Sequence, residues 1–397
     1  MAKVYVIGTF DTKEAELTYA GECLQSAGAA VLLVDVSTGS PSDAADVPAG
    51  DVARCHPGGE SAVLGQSDRG TAVAAMGEAL SNYLISRDDI GAVLGLGGSG
   101  NTAIVTAAMR TLPVGVPKIM VSTMASGDVS AYVGPNDIAM MYSVVDIAGL
   151  NAISRQVIAN AAYAAAGMAL NRAESGESAR PALGFTMFGV TTPCITAIRS
   201  ALEADFECFV FHATGTGGQS MEKLVDSGLL GGVFDITTTE VCDYLVGGVL
   251  PCTPDRFGAV IRTGVPYVGS VGAVDMVNFG ARETVPEKFQ SRRLHVHNPQ
   301  ITLMRTTAGE NEAIGAWIVE RLNRMTGPVR FLLPLRGVSA IDKEDQPFHD
   351  PDADEALFNA IRNGWTNAPN RQLVEVDAHI NDDVFTREAL RQFRSLG

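Results

Sequence analysis

The sequence predicts an α/β protein built as two Rossmann-like doubly wound lobes with a cleft between them. Short apolar runs alternate with helical patterns along all 397 residues. The runs are continuous in Val, Ile and Leu, as expected of parallel strands covered on both faces. Two glycine-rich turns, Gly95-Leu96-Gly97-Gly98-Ser99-Gly100 and Thr214-Gly215-Thr216-Gly217-Gly218, each follow such a run and open a helix. Open α/β sheets hold phosphate at that position.

In the first lobe the elements read in order as strand Val4–Ile7, helix Lys13–Ala27, strand Ala30–Val34, helix Gly70–Ile85, strand Ile90–Leu94, helix Asn101–Arg110 and strand Lys118–Val121. An alanine-rich helix follows, with Leu150, Ile153, Val157, Ala161, Ala164 and Met168 on one face. Such a face suggests close packing against a neighbour, whether another element or another subunit. The polar stretch Asn171–Ser178 has no apolar anchor and reads as a linker, giving lobes 1–172 and 181–397 joined by 173–180.

The rhythm then restarts: strand Ala182–Phe185, helix Pro193–Leu202, strand Glu207–Phe211, helix Gly217–Asp226, strands Gly232–Asp235 and Val265–Val268. Thr307 and Glu310 form a capping box for a helix that turns Ile314, Trp317, Ile318 and Leu322 inward. Strands Val329–Leu333 and Leu373–Val376 close the pattern. Both halves open alike, with Gly8-Thr9-Phe10-Asp11-Thr12-Lys13 in one and Thr186-Met187-Phe188-Gly189-Val190-Thr191-Thr192 in the other.

Composition narrows the functional classes. The chain is 46% apolar and 19% charged, with a formal net charge of −16. So acidic a surface repels nucleic-acid phosphates and anionic membrane, and neither is expected as a partner. It also repels anionic ligands, so a phosphate site must rest on local dipoles and a few cations. The six cysteines form no C-x-x-C pair and read as reduced thiols. No apolar segment has the length of a signal peptide or a membrane span, so a cytoplasmic location is expected.

The first glycine turn matches G-x-G-x-x-G, yet it does not lie in the first βα unit. The stretch about 20 residues on, Val116–Thr123, has no acidic residue to grip a ribose. The absence of any Gly-Lys dipeptide excludes a Walker P-loop. Two readings remain: an oxyanion cradle of N–H groups from Gly97, Gly98, Ser99, Gly100 and Asn101, helped by the Ser99 and Thr102 hydroxyls, or a tight turn using glycine for packing. Thr9, Phe10, Asp11, Thr12 and Lys13 end the first strand beside it. There Asp11 caps a helix or holds Mg²⁺, and Lys13 neutralises charge. Ser122 and Thr123 add polar groups to the same rim.

In the second lobe, His212 stands at the lip of the turn containing Thr214, Gly215, Gly217 and Gly218, as a candidate general acid or base. Asp235 and Glu240 bracket three threonines at a strand end, as a metal or substrate-hydroxyl site or as a helix cap. Arg305 precedes a helix, suited to a carboxylate or phosphate or to an ion pair. His295 and His297 share a strand face, without a third ligand at zinc spacing.

The phrases Gly8–Lys13, Gly95–Gly100, Met187-Phe188-Gly189-Val190-Thr191-Thr192-Pro193, His212–Gly218 and Val274-Asp275-Met276-Val277-Asn278-Phe279-Gly280 occur in that order. Together they resemble the Tm-one-like ATP-binding family, a mostly bacterial group related to the N-terminal region of the tomato mosaic virus resistance protein. The resemblance spans essentially the whole chain. It implies two α/β lobes, ATP binding with Mg²⁺, and self-association as dimers or larger assemblies.

Three functions are compatible with these residues. The first is an ATP-binding protein acting on a small metabolite in the interlobe cleft, with His212, Asp235, Glu240 and Arg305 as catalytic candidates. The second is a non-catalytic scaffold or sensor that responds to nucleotide. The third is a lyase or isomerase whose glycine turns hold a phosphorylated or carboxylated substrate.

Overall fold

The computed structural model describes residues 2–40, 42–171 and 180–396. All of the expected linker 173–180 except Arg180 lies outside the described residues. The chain forms two compact units, Met1–Gly176 and Glu177–Gly397.

Unit 1 runs β1 (Lys3–Gly8), α1 (Phe10–Ser26), β2 (Ala30–Asp35), α2 (Ala49–Ala53), α3 (Ser61–Leu64), α4 (Arg69–Ile85), β3 (Ile90–Gly97), α5 (Ser99–Met109), β4 (Lys118–Ser122), α6 (Ser130–Val133), β5 (Ile138–Tyr142) and α7 (Ala152–Leu170). The strands form one sheet in the order β2-β1-β3-β4-β5, and every neighbouring pair is parallel. Alternate residues of β1 feed two cores. Val4 and Val6 pack with Leu17, Leu24, Ile158 and Ala161 under α1 and α7. Tyr5 and Ile7 pack with Met76, Leu80, Ile104 and Val105 under α4 and α5. Each such aliphatic side chain, fully buried, contributes about 1.5–3 kcal/mol.

The chain therefore winds one way from β1 through α1 to β2 and the other way from β3 through α5 to β4. The strand order reverses between β1 and β3, so their carboxyl ends part and leave a crevice outside the sheet.

Unit 2 runs β6 (Ala182–Met187), α8 (Thr192–Leu202), β7 (Glu207–His212), α9 (Thr216–Asp226), β8 (Gly232–Thr237), α10 (Glu240–Val246), α11 (Gly258–Thr263), β9 (Tyr267–Gly272), β10 (Met276–Phe279), β11 (Leu294–Asn298), β12 (Ile301–Arg305), α12 (Ala308–Leu322), β13 (Val329–Pro334), α13 (Pro351–Gly364), β14 (Arg371–Val376) and α14 (Asp383–Arg394). Its parallel sheet has the order β14-β13-β9-β8-β6-β7. Read from β7, this repeats the unit 1 order of second, first, third, fourth and fifth strand, with a sixth added. The antiparallel sheet β10-β12-β11 is inserted between its fourth and fifth strands. The two halves thus share a topology, as their matching openings suggested.

Several expectations need correction. The inward stripe of α7 is Ser154, Ile158, Ala161, Ala162, Ala165 and Ala166, whereas Ile153 and Met168 are exposed. Its alanines pack against α1 and the sheet of their own unit, so they carry no argument for a second subunit. Strand β9 starts at Tyr267 rather than Val265 because Gly264 ends α11 in the left-handed region and Pro266 offers no N–H to a ladder. The central strands β3, β6 and β8 each run two or three residues further than expected, which places Gly97 in β3 rather than in the turn. The capping box at Thr307 is present, with Thr307 N donating to Glu310 Oε2 at 2.8 Å.

Candidate anion-binding site

The polypeptide leaves β3 at Gly97 and enters α5 at Ser99, with Gly98 as an extended N-cap (φ −84°, ψ −165°) that has no side chain to cap with. The first N–H to find a helical acceptor is that of Thr102, 2.9 Å from the Gly98 carbonyl. The N–H groups of Ser99, Gly100 and Asn101 precede it and, among the described residues, make no hydrogen bond. They point out of the helix start, where the macrodipole is positive.

Asn101 reinforces the opening. Its Nδ2 donates to the Leu96 carbonyl at 2.5 Å, while its Oδ1 is buried with no partner among the described residues. The residue is 5% exposed and lines the pocket described below. An orphaned acceptor in such a place is costly unless a guest or water supplies a donor. Gly97 serves this side chain, since a Cβ there would lie 2.6 Å from Asn101 Cβ. Gly98 differs: a Cβ there would meet only Thr123 Oγ1, at 3.8 Å.

Two expected donors belong to the scaffold. Thr102 and Ser122 are fully buried and share a 2.6 Å hydrogen bond, and Thr102 Oγ1 also reaches the Gly98 carbonyl at 2.8 Å. They brace the turn from below, and neither hydroxyl faces a guest. Thr123 lies beside Gly98 but does not line the pocket described below.

The neighbouring β1–α1 turn offers side chains rather than amides. The Phe10 N–H donates to buried Asp35 Oδ1 at 3.1 Å, and the Asp11 N–H donates to Ser37 Oγ at 3.1 Å. Thr12 N and Lys13 N turn back to the Thr9 carbonyl. The Phe10 ring is 2% exposed and lies in the core under α1, so it is no ligand contact. Thr9 and Thr12 face each other, Oγ1 to Oγ1 at 3.1 Å. Lys13 leaves helical geometry (φ −138°, ψ 27°) as its Nζ donates to the Ile147 carbonyl.

These groups meet around a pocket of about 490 Å³ at the carboxyl ends of β1 and β3. Thr9, Asp11, Thr12 and Lys13 form one wall, and Gly98, Ser99, Gly100, Asn101 and Ile104 another. Thr38, Gly39, Val73 and Arg69 complete it. Arg69 had no place in the sequence reading, which began the helix one residue later. It is the first residue of α4, next to its N-cap Asp68, whose carboxylate accepts from Thr71 N at 2.8 Å. A guanidinium at a helix N-terminus opposes the dipole, and Arg69 makes no ion pair among the described residues.

In unit 2 the second glycine turn is closed. Gly215 N donates to Glu240 Oε2 at 2.8 Å. A Cβ on Gly218 would fall 2.0 Å from Glu240 Oε1, and one on Gly217 only 1.8 Å from the His212 carbonyl. An internal carboxylate stands where a guest's phosphate was expected, so Gly215, Gly217 and Gly218 are corrected from cofactor contacts to packing, while Thr214 turns its N–H and Oγ1 to the His212 carbonyl.

Asp235 and Glu240 are corrected in the same way. Buried Arg256 binds Glu240 Oε1 through Nε at 2.5 Å, Asp235 Oδ1 through Nη2 at 2.7 Å and Glu222 Oε1 through Nη1 at 2.9 Å. Tyr267 and Thr186 hydroxyls donate to Asp235 at 3.0 and 2.7 Å. Burial pushes the Glu222 and Glu240 carboxyls above the usual range against the pull of Arg256. These groups are satisfied among themselves and sealed from solvent.

Arg305, also buried, donates to Asp354 Oδ1 at 2.6 Å, to Asp342 Oδ1 at 3.5 Å and to the Phe348 carbonyl at 2.7 Å. It joins β12 to the β13–α13 segment rather than meeting a ligand. Burial, followed by the charge of Asp342, pushes the Asp354 carboxyl up to about 8 and that of Asp275 to about 7. His212 alone of the four catalytic candidates is exposed. It ends edge strand β7 with its ring 5.1 Å from Phe188, and partial burial holds it below the usual imidazole range. The β11–β12 register shifts between Val296 and Asn298, so His297 falls at an irregularity and does not pair with His295 as a ligand set.

Family comparison assigns both units. Residues 2–174 match the model described as "Uncharacterised protein family (UPF0261) N-terminal domain", and residues 180–397 match its C-terminal counterpart. The chain belongs to the UPF0261 family. A UPF0261 protein of Rhizobium meliloti is 56% identical over 396 residues, covering 100% of this chain and 99% of the relative. One of Clostridium tetani is 43% identical, covering 96% of each. The tomato ToMV resistance protein Tm-1(GCR237) is 43% identical over 98% of this chain, which spans 55% of that relative's length. Among the described residues, no helix of this UPF0261 member is long and apolar enough to cross a membrane.

Proposed function

We propose that the protein binds a magnesium-complexed nucleoside triphosphate in unit 1, with phosphate oxygens on the first turn of α5. The family resemblance makes ATP the first choice. One observation carries the reading: three unbonded N–H groups at Ser99, Gly100 and Asn101 open onto a pocket lined by an unpaired guanidinium, Arg69. The same pocket contains the Asp11 carboxylate, which makes no ion pair among the described residues. A guest bearing both signs satisfies it, and a magnesium phosphate is such a guest. Asp11 would hold the metal, whose contribution is to screen phosphate charge. Lys13, Thr9 and Thr12 stand beside it as donors.

Titration calorimetry of the full chain with ATP and Mg²⁺ tests the proposal, with Gly98→Asp as the control. Gly98 has room for a side chain and an ordinary φ, so the variant should fold normally and lose ATP affinity by about 100-fold or more through like-charge repulsion. Equal affinity in both proteins would remove this turn from the site.

A non-catalytic, nucleotide-responsive role is favoured over chemistry in unit 2. Asp235, Glu240 and Arg305 are each consumed by buried ion clusters. Nucleotide-dependent assembly without turnover would support that role, and metabolite turnover abolished by His212→Ala would refute it.

A further inference from the structure

The unit 1 pocket holds its two cations differently, and that difference bears on which phosphorylated ligand it selects. Lys13 is anchored, with Nζ on the Ile147 carbonyl and its backbone bent out of the helix to reach it. Arg69 has no partner among the described residues, and it lies against the α5 turn: a Cβ on Gly100 would stand 3.8 Å from its Nη2. The turn itself is braced and buried from below by Thr102 and Ser122, and Asn101 seals its inner end. A first phosphate on the three N–H groups therefore sits between a fixed floor and a guanidinium at the open rim. Arg69 springs from a different helix, so its fork is free to engage an oxygen that the turn does not reach.

We propose that this pocket selects ligands by the number of linked phosphates, with Arg69 reading the phosphate beyond those held by the α5 turn. The inference rests on the phosphate-binding reading of the site and deepens it. A planar fork facing the rim matches a terminal phosphate with two or three free oxygens, whereas a bridging phosphate offers fewer. The recognised chemistry is a phosphoanhydride chain, which a nucleoside triphosphate or an inorganic polyphosphate supplies.

The test is calorimetry of the full chain with Mg²⁺ and five probes: AMP, ADP, ATP, pyrophosphate and tripolyphosphate. Wild-type protein, Arg69→Gln and Arg69→Lys are compared. For the wild type, affinity should rise with each added phosphate. Arg69→Gln should lose about tenfold on ATP, the worth of one charge-assisted contact at an exposed rim, while AMP affinity stays within about twofold. Arg69→Lys should recover part of the loss, because a point charge replaces the fork only in part. If tripolyphosphate follows ATP through these variants, the chain alone is read. If ATP binds and tripolyphosphate does not, the nucleoside is required as well, and the change in the ATP-to-AMP ratio still decides the role of Arg69.

Equal losses on AMP and ATP, or no loss on either, would overturn the assignment of Arg69 while leaving the site intact. A wild-type protein that binds none of the five would overturn both this inference and the phosphate-binding reading. Thermal unfolding of the variants provides a readout independent of ligand. Arg69 is exposed and makes no ion pair, so both variants should melt with the wild type.

Discussion

Glu240 Oε2 accepts a hydrogen bond from Gly215 N at 2.8 Å, and that contact separates the two glycine turns of this protein. Both follow a parallel strand and start a helix. One is crowded by a carboxylate of its own fold, which takes the Gly215 N–H and fills the space beside Gly218, and the other opens onto a pocket. A glycine-rich turn is thus a demand for an anion that the protein meets internally in one unit and leaves open in the other.

The internal anion is held by Arg256, so the cluster should respond unequally to loss of its members. Arg256→Met leaves three buried carboxylates without a counter-ion and should cost about 3–5 kcal/mol or prevent folding of unit 2. Glu240→Gln keeps an acceptor for Gly215 and relieves excess negative charge but turns an NH2 toward Arg256 Nε, so a smaller cost of about 1–3 kcal/mol is expected. Urea unfolding of both variants measures the difference. A Glu240→Gln variant weaker than Arg256→Met would contradict the arrangement.

Thr102→Val separates a brace from a ligand contact. Removing its hydroxyl leaves buried Ser122 Oγ with only the Met124 N–H as partner and should cost about 1–2 kcal/mol. Affinity for ATP and Mg²⁺ should stay within about threefold, since the hydroxyl lies beneath the turn. A large loss of affinity at unchanged stability would place the hydroxyl in the site.

Asp11 makes a separate claim about metal. In Asp11→Asn the gain in ATP affinity on adding Mg²⁺ should disappear, and metal-free affinity should rise as a repelling charge is lost. Titrations with Mg²⁺ and with EDTA measure both. A variant with the full magnesium effect would show that Asp11 does not hold the ion.

The Arg305 cluster predicts a pH dependence. Carboxyls of the unfolded chain titrate near pH ~4, whereas burial raises Asp354 to about 8 and Asp275 to about 7 in the fold. Between those limits the folded state holds more protons than the unfolded one. The stability these groups contribute is therefore complete below about pH 4 and lost as pH rises toward about 8. Asp354→Asn mimics the protonated acid, so its stability profile should be flatter than that of the wild type by up to one proton's slope between about pH 5 and pH 8. Parallel profiles would refute the raised value.

Strand-helix alternation located every strand of both parallel sheets except β5, because apolar runs in a doubly wound sheet are continuous. The inserted β10–β12 sheet went unseen: its strands carry no clean alternation, and Asp275 and Asn278 interrupt β10 and its entry with buried polar groups. The first glycine turn was legible from Gly98 and its flanking strand and helix. Arg69 was not, because a cation in Asp68-Arg69-Gly70 has no sequence signal until the fold brings α4 beside α5. For a related reason the sequence leaves Asp235 and Glu240 open between site chemistry and a helix cap, and Arg305 between a ligand and the ion pair that the structure shows. Their partners Arg256 and Asp354 are 16 to 49 residues away, and pairing at such distances follows from topology rather than spacing.

The central claim is that the amides opening α5 receive phosphate. A crystal structure of the full chain grown with ATP and Mg²⁺ tests it most directly. The account requires phosphate oxygens within about 2.7–3.2 Å of the Ser99, Gly100 and Asn101 nitrogens, with the Asp11 carboxylate on the metal. Phosphate bound at the Thr214–Gly218 turn, or an α5 turn left bare in crystals that contain the nucleotide elsewhere, would contradict it.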